Sequence, residues 1–172
     1  KNAYNQQIWK TLEDQVLKVD DSKIDTKSLT TILWSFGIMR KGSALLWKKL
    51  SHIVILRVDE LDINHITIIF NTFSYRTLAD HEFWSVLEEK TKELLKAPDL
   101  AHYHLSKLLR SNAKITTVYT ISPDLKDLFV KRFHDLLAQE AELKFNDLFD
   151  YILGFSSLGV SDKETWSQLT KI

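Results

Sequence analysis

The sequence predicts an all-α fold, and within that class an α-solenoid of helix pairs repeating about every 37–38 residues. Three observations carry this expectation. The first is one amphipathic unit, Leu29 to Leu50, LTTILWSFGIMRKGSALLWKKL. In it Leu29, Ile32, Leu33 and Phe36 recur at i, i+3, i+4 and i+7, which is one face of a helix. Gly42 and Ser43 break that pattern, and Trp47 and Leu50 carry a second amphipathic segment. The second observation is recurrence. Moving 37 residues along gives Ile66, Ile69, Phe70, Phe73, Trp84 and Leu87, and moving 82 further gives Leu148, Tyr151, Ile152, Phe155, Trp166 and Leu169. Every position is apolar, and tryptophan, a rare residue, returns in register, which sets the pattern apart from chance amphipathicity. The third is composition: 4 glycines and 2 prolines in 172 residues favour long helices and few turns.

Taken in order, residues 3–19 read as a helix with Ile8, Trp9, Leu12, Val16 and Leu17 inward. Its IWKTL matches LLWKKL, and Trp9 precedes Trp47 by 38 residues, so residues 1–22 read as the second half of a repeat. In the polar connection DDSKIDTKS, Asp25, Thr26 or Ser28 is able to cap the next helix. Repeat 1, residues 24–60, holds helices over 27–39 and 43–56. Repeat 2, residues 61–97, holds helices over 63–75 and 79–95, with Asp62 repeating the position of Asp25 and Asp80 capping the second helix. Pro98 then ends the run, because it has no amide hydrogen to contribute.

Repeat 3, residues 98–142, is degenerate. Leu105, Leu108 and Leu109 keep the face of a first helix over 99–112, but Asn112 stands where phenylalanine is due, and Val130 and Phe133 stand for Trp and Leu. The inserted loop 113–121 is rich in β-branched residues and reads as extended, with a short strand as the alternative. Ser122 and Pro123 then open a helix over 123–141. Repeat 4, residues 143–172, holds helices over 144–157 and 162–170, the second introduced by Ser161 and Glu164 at capping-box spacing. Neither end carries a polar capping helix, so a longer array, or a partner over the ends, is expected. The first residue is not Met, which fits a processed or incomplete product whose targeting peptide would not be visible here.

The first-helix segments LTTILWSF (29–36), ITIIFNTF (66–73) and LFDYILGF (148–155), each followed by its tryptophan, resemble the heptatricopeptide and octotricopeptide repeats of organellar proteins. These are relatives of the helical arrays of FAST-kinase-like and RAP-domain proteins. Tetratricopeptide repeats fit less well, having a 34-residue period. The resemblance implies a mitochondrial or plastid protein, and mitochondrial is the expected localisation. It implies that the first helix of each pair lines a concave face, which in such families often contacts single-stranded RNA. Other members serve as structural subunits of large organellar assemblies. The chain departs from the RNA-binding pattern in its neutral charge and its degenerate third repeat, and it has no RAP-type domain.

Composition bounds the chemistry. Lys and Arg total 23 and Asp and Glu total 23, so no global basic balance favours nucleic acid. The absence of cysteine excludes disulfides and thiolate chemistry. No apolar run approaches the ~18 residues of a membrane span. No Gly-rich phosphate loop, G-x-S-x-G or HExxH occurs, so neither an enzyme nor a small-molecule substrate is expected. The acids of DLFD (147–150) read as capping or solvated charges. His102 and His104 are the close histidine pair, but a helix turns them to opposite sides, so no metal and no cofactor is expected.

What remains is binding. Ser35, Thr72 and Ser111 fall at equivalent positions of the first three A-type helices, and small hydrogen-bonding residues recurring once per unit suit the reading of RNA bases. The competing reading is a solvated or protein-contacting face. Lys107, Arg110 and Lys114 form a stripe at helical spacing, the best local anion site, against a reading as charges that balance neighbouring acids. Trp34, Phe83 and Tyr119 lie outside the tryptophan register and are candidate anchors for a partner, against core burial. Trp9, Trp47, Trp84 and Trp166, with Phe36, Phe73 and Phe155, are the predicted core. The sequence therefore points to a non-catalytic scaffold bound to other protein subunits of a larger mitochondrial assembly, with an organellar RNA-binding repeat protein as the alternative.

Overall fold

Short polar side chains decide where most of the helices begin. Asp25 accepts from the Ser28 amide, Ser43 from Leu46, Asp62 from His65, Asp80 from Phe83, Ser122 from Leu125 and Asp162 from Thr165. Each such cap satisfies an amide the helix cannot, and contributes about 1 kcal/mol. Asp25 is thus the cap among the three expected options, and Asp162, not Ser161, caps the last helix.

The computed structural model describes residues 2–74, 80–139 and 141–171, with side chains from residue 5. Among these residues it is all-α. The helices are α1 (Asn2–Lys18), α2 (Thr26–Ile38), α3 (Ala44–Leu56), α4 (Ile63–Phe73), α5 (His81–Leu95), α6 (His102–Ile115), α7 (Pro123–Ala138), α8 (Phe145–Leu158) and α9 (Lys163–Leu169). Single 3-10 turns lie at Asp21–Lys23 and Val58–Glu60. The expected helix ends at 75 and 79 lie outside the described residues.

The helices form two layers. In the A layer α2 packs on α4, α4 on α6 and α6 on α8; in the B layer α1 packs on α3, α3 on α5 and α5 on α7. Thr165 of α9 meets His134 of α7, Oγ1 to Nε2 at 3.0 Å, and this continues the B layer. The core runs between the layers and includes Leu29, Leu33, Phe36, Trp47, Leu50, Phe70, Phe73, Trp84 and Phe155, all buried.

The recurring tryptophans have two repeated tasks. The indole N–H of Trp47 donates to the Lys41 carbonyl at 3.1 Å, and that of Trp166 to the Val160 carbonyl at 2.9 Å, each closing the turn six residues upstream. Across the layers, Trp9 meets Phe36 edge-on at 5.0 Å, and Trp47 meets Phe73 edge-on at 5.4 Å. Such pairs contribute about 1 kcal/mol beyond their buried area. In the third unit Asn112 replaces the phenylalanine, and Tyr119 supplies the ring against Trp84, at 6.3 Å. The buried Glu88 carboxylate holds that segment by accepting from the Ser122 amide at 3.3 Å.

Several expectations need correction. The loop 113–121 is not extended: α6 continues to Ile115, which is buried, and the amides of Val118 and Tyr119 turn back to the Ile115 carbonyl at 2.9 and 2.8 Å. No strand forms among the described residues. Helix α6 begins at His102, not 99, and α7 ends at Ala138, where the Ala141 amide folds back to the Leu136 carbonyl at 3.2 Å. Ile8 and Leu12 are exposed and Trp9 is half-buried; among the described residues α1 packs on α3, and Trp9 reaches Phe36 of α2. Trp166 is half-buried as well. Gly159, at φ 69°, closes α8 in the left-handed conformation that glycine adopts without strain.

Candidate functional site

Two adjoining depressions run along the A layer and share Asn71 and Lys114. One is lined by Trp34, Gly37, Ile38, Ile68 and Thr72 as well, the other by Thr67, Lys107, Arg110, Ser111 and Asp150. Trp34 is 55% exposed, so its place beyond the tryptophan register does mark a surface aromatic. The floor is built by α4, whose amphipathic pattern turns Phe70 and Phe73 to the core and leaves Thr67, Ile68 and Asn71 half-open.

The structure brings the basic stripe together at the second depression and shows how much of its charge is engaged. Arg110 Nη1 meets Asp150 Oδ1 at 3.2 Å. Lys114 Nζ donates to Asn71 Oδ1 at 2.6 Å. The Lys107 ammonium lies 3.9 Å from the centroid of the Tyr103 ring and donates to its hydroxyl. Crowding by protein around its ammonium lowers the Lys114 pKa, and the Arg110 charge adds to this, while Asp150 opposes it.

Ser35, Thr72 and Ser111 do not form a base-reading face. Thr72 and Ser111 are buried, and Ser35 is half-buried. The Ser35 hydroxyl donates to the Thr31 carbonyl at 2.8 Å and that of Ser111 to the Leu108 carbonyl at 2.9 Å, so both are satisfied by their own helices. Their recurrence has a packing cause. A methyl group at Gly37 would come 2.7 Å from the Thr72 methyl. One at Gly154, the residue in register with Thr72 on α8, would come 2.5 Å from Leu109 Cγ on α6. At Thr72 and Gly154 a small residue lets the A helix lean closely on the one before it. The glycine of the fourth unit was the signal in the sequence, and it has no side chain with which to read a base.

Phe83 is likewise not a surface anchor: it is 1% exposed and packs on Phe73 at 4.7 Å and Trp84 at 5.0 Å. Tyr119 is half-buried against Trp84, with burial first and Glu88 second pushing its phenol up to about 12.

Two features escaped sequence reasoning. The first is a buried polar joint between α6 and α8. His102 Nδ1 meets Tyr151 Oη at 2.9 Å, Ser106 Oγ donates to Asp147 Oδ1 at 3.0 Å, and all four side chains are buried. Burial lowers the His102 pKa, against the opposing charge of Asp147, and its Nε2 has no hydrogen-bond partner. Asp147 of DLFD caps its helix as expected, accepting from the Lys144 amide at 3.4 Å, and it also receives Ser106, while Asp150 receives Arg110.

The second is an apolar face on α8. Phe145 is 81% exposed, Phe149 56% and Ile152 39%, at spacings of four and three residues that place them on one side. Ile152 corrects the core assignment of its register position, since Leu33 and Phe70 there are fully buried. Phe145 and Phe149 form a second apolar stripe beside the core stripe and were legible as such. No described helix is long and apolar enough to cross a membrane. In comparisons with known proteins, no family model matches the chain and no curated protein matches it.

Proposed function

We propose that the two layers are a stretch of α-solenoid built from helix pairs of about 37–38 residues, of the kind its first-helix segments resemble, and that it works as a non-catalytic scaffold in a larger mitochondrial assembly. One observation carries this reading. Large apolar side chains stand exposed along both layers, Ile8 and Leu12 on α1, Trp34 and Ile38 on α2, Leu45 and Leu56 on α3, and Phe145 and Phe149 on α8. Clusters of this kind mark surfaces that other proteins cover. The assignment to mitochondria rests on the family resemblance. In cells, a tagged chain is expected to sediment far above the size of one chain, before and after RNase treatment. Migration as a free chain, or release by RNase, would contradict the scaffold reading.

A specific observation favours the second reading, single-stranded RNA in the A-layer depressions: the exposed Trp34 shares a continuous surface with Lys107, Arg110 and Lys114. Aromatic platforms flanked by cations suit stacked bases and phosphates. Purified chain titrated with single-stranded RNA across a salt series tests it. Sub-micromolar binding that falls steeply with salt supports the RNA reading. The neutral balance of charge and the engaged Arg110 favour the scaffold.

A further inference from the structure

From the register of the A layer we infer that its open side is a docking groove for a segment of a partner protein that carries an apolar side chain close to an aspartate or glutamate. The inference rests on the scaffold reading, which supplies the partner, and names its chemistry. Counted along the repeat, Trp34 of α2, Asn71 of α4 and Arg110 of α6 occupy one register position, and all three line the depressions. Ile38 and Lys114 share a second position four residues on, and Ile68 and Lys107 a third, three residues before. At those spacings the three positions form one side of a helix. The same side therefore looks out from successive A helices. Further helices would stack before α2 or beyond α8, so lengthening the array leaves this side open.

The chemistry changes along the groove. Over α2 and α4 it is Trp34, Ile38 and Ile68, with Trp34 55% and Ile38 59% exposed. Over α6 it is Lys107, Arg110 and Lys114. Arg110 is paired with Asp150. Lys107 and Lys114 are held by neutral groups, the Tyr103 ring and hydroxyl and the Asn71 amide oxygen, and among the described residues neither forms an ion pair. Two positive charges thus stand unneutralised beside an apolar end. At 290 and 250 Å³ the adjoining depressions fall below the range of small-molecule sites, about 300–1,000 Å³, and each suits one side chain. An apolar side chain against Trp34 and a carboxylate at Lys107 and Lys114 match both ends.

Other occupants match one end alone. A second copy laid face to face brings the same side chains, and the carboxylate among them, Asp150, is already taken by Arg110. An RNA base on Trp34 sets its polar edge against Ile38 and Ile68, which cannot hydrogen-bond, and the phosphates on either side find no cation at that end.

The test uses the full chain in its own cells, with p-benzoylphenylalanine in place of Ile38, and in place of Lys131 on α7 as control. The expected result is a cross-link from position 38, absent from 131, to a segment of another protein with an acidic residue close to an apolar one. A synthetic peptide of that segment is then expected to bind the purified chain. Lys107→Glu with Lys114→Glu is expected to weaken it at least tenfold with an unchanged melting curve, and a peptide with lysine at its acidic position to regain binding to that variant. Trp34→Ala is expected to weaken the original peptide independently. Cross-linking to a second copy, to another segment of the same protein or to nucleic acid, no cross-link above the control, or binding indifferent to the charge reversal would overturn the inference. If the chain still sediments in an RNase-resistant assembly in those cases, the scaffold reading stands and the groove alone falls.

Discussion

The two sides of α8 are built on one register and from opposite chemistry. Its inner side closes on α6 through His102, Ser106, Tyr151 and Asp147, buried and hydrogen-bonded in pairs. Its outer side offers Phe145, Phe149 and Ile152 to solvent. A buried polar joint tolerates one arrangement, because a group that loses its partner bears the cost of desolvation. An apolar face makes no such demand and gains from whatever helix covers it. The joint inside the chain is specified by hydrogen bonds, and the face turned outward is apolar.

The largest expected effect comes from forcing the inner side apart. Gly154→Leu drives a branched side chain into space that Leu109 already occupies at 2.5 Å from a bare Cβ, so a loss of about 3 kcal/mol is expected in denaturant unfolding. An unchanged midpoint would mean that α8 does not lean on α6 there. Next comes Tyr151→Phe, which removes the hydroxyl facing His102 Nδ1 at 2.9 Å. Leaving that nitrogen buried without a partner is expected to cost about 1–2 kcal/mol. In a double-mutant cycle, His102→Leu on the Tyr151→Phe background is expected to cost less than His102→Leu alone.

The same joint predicts a pH dependence. Burial lowers the His102 pKa, so the folded chain holds the imidazole neutral while the unfolded chain protonates it near the ordinary value of about 6.5. Stability from this residue is present above that value and is lost as pH falls below it towards the lowered folded pKa. Melting temperatures between pH 7.5 and 5 are expected to fall less in His102→Leu than in the parent. Equal slopes would remove His102 from the account. The smallest effect on folding belongs to the outer side, where Phe149→Asp is expected to change stability by no more than about 0.5 kcal/mol. A large loss would mean that this face is already packed within the chain.

The core was legible because periodicity reports burial directly. Leu29, Leu33 and Phe36 recur as Ile66, Phe70 and Phe73, and the tryptophans mark the turns they close. Side-chain type misled where one residue has two uses. Thr72 and Ser111 read as hydrogen-bonding groups for a ligand, but both are buried, and Thr72 serves by its small volume where it crosses Gly37. The β-branched run after Asn112 suggested extended chain, and burial of Ile115 overrode that local preference. The His102–Tyr151 pair spans 49 residues of sequence, and no local pattern joins partners so far apart. Trp34 is exposed, although core burial competed as its reading, whereas Phe83 is core, since α5 buries a wider face than one stripe.

Hydrogen–deuterium exchange of the full chain, alone and within its native assembly, tests the central claim most directly, because docking slows the local opening of the helix it covers. The account predicts slower exchange around Trp34, Asn71 and Lys114 on assembly, before and after RNase treatment. Exchange there that is the same alone and assembled, or that slows only when single-stranded RNA is added, would contradict it.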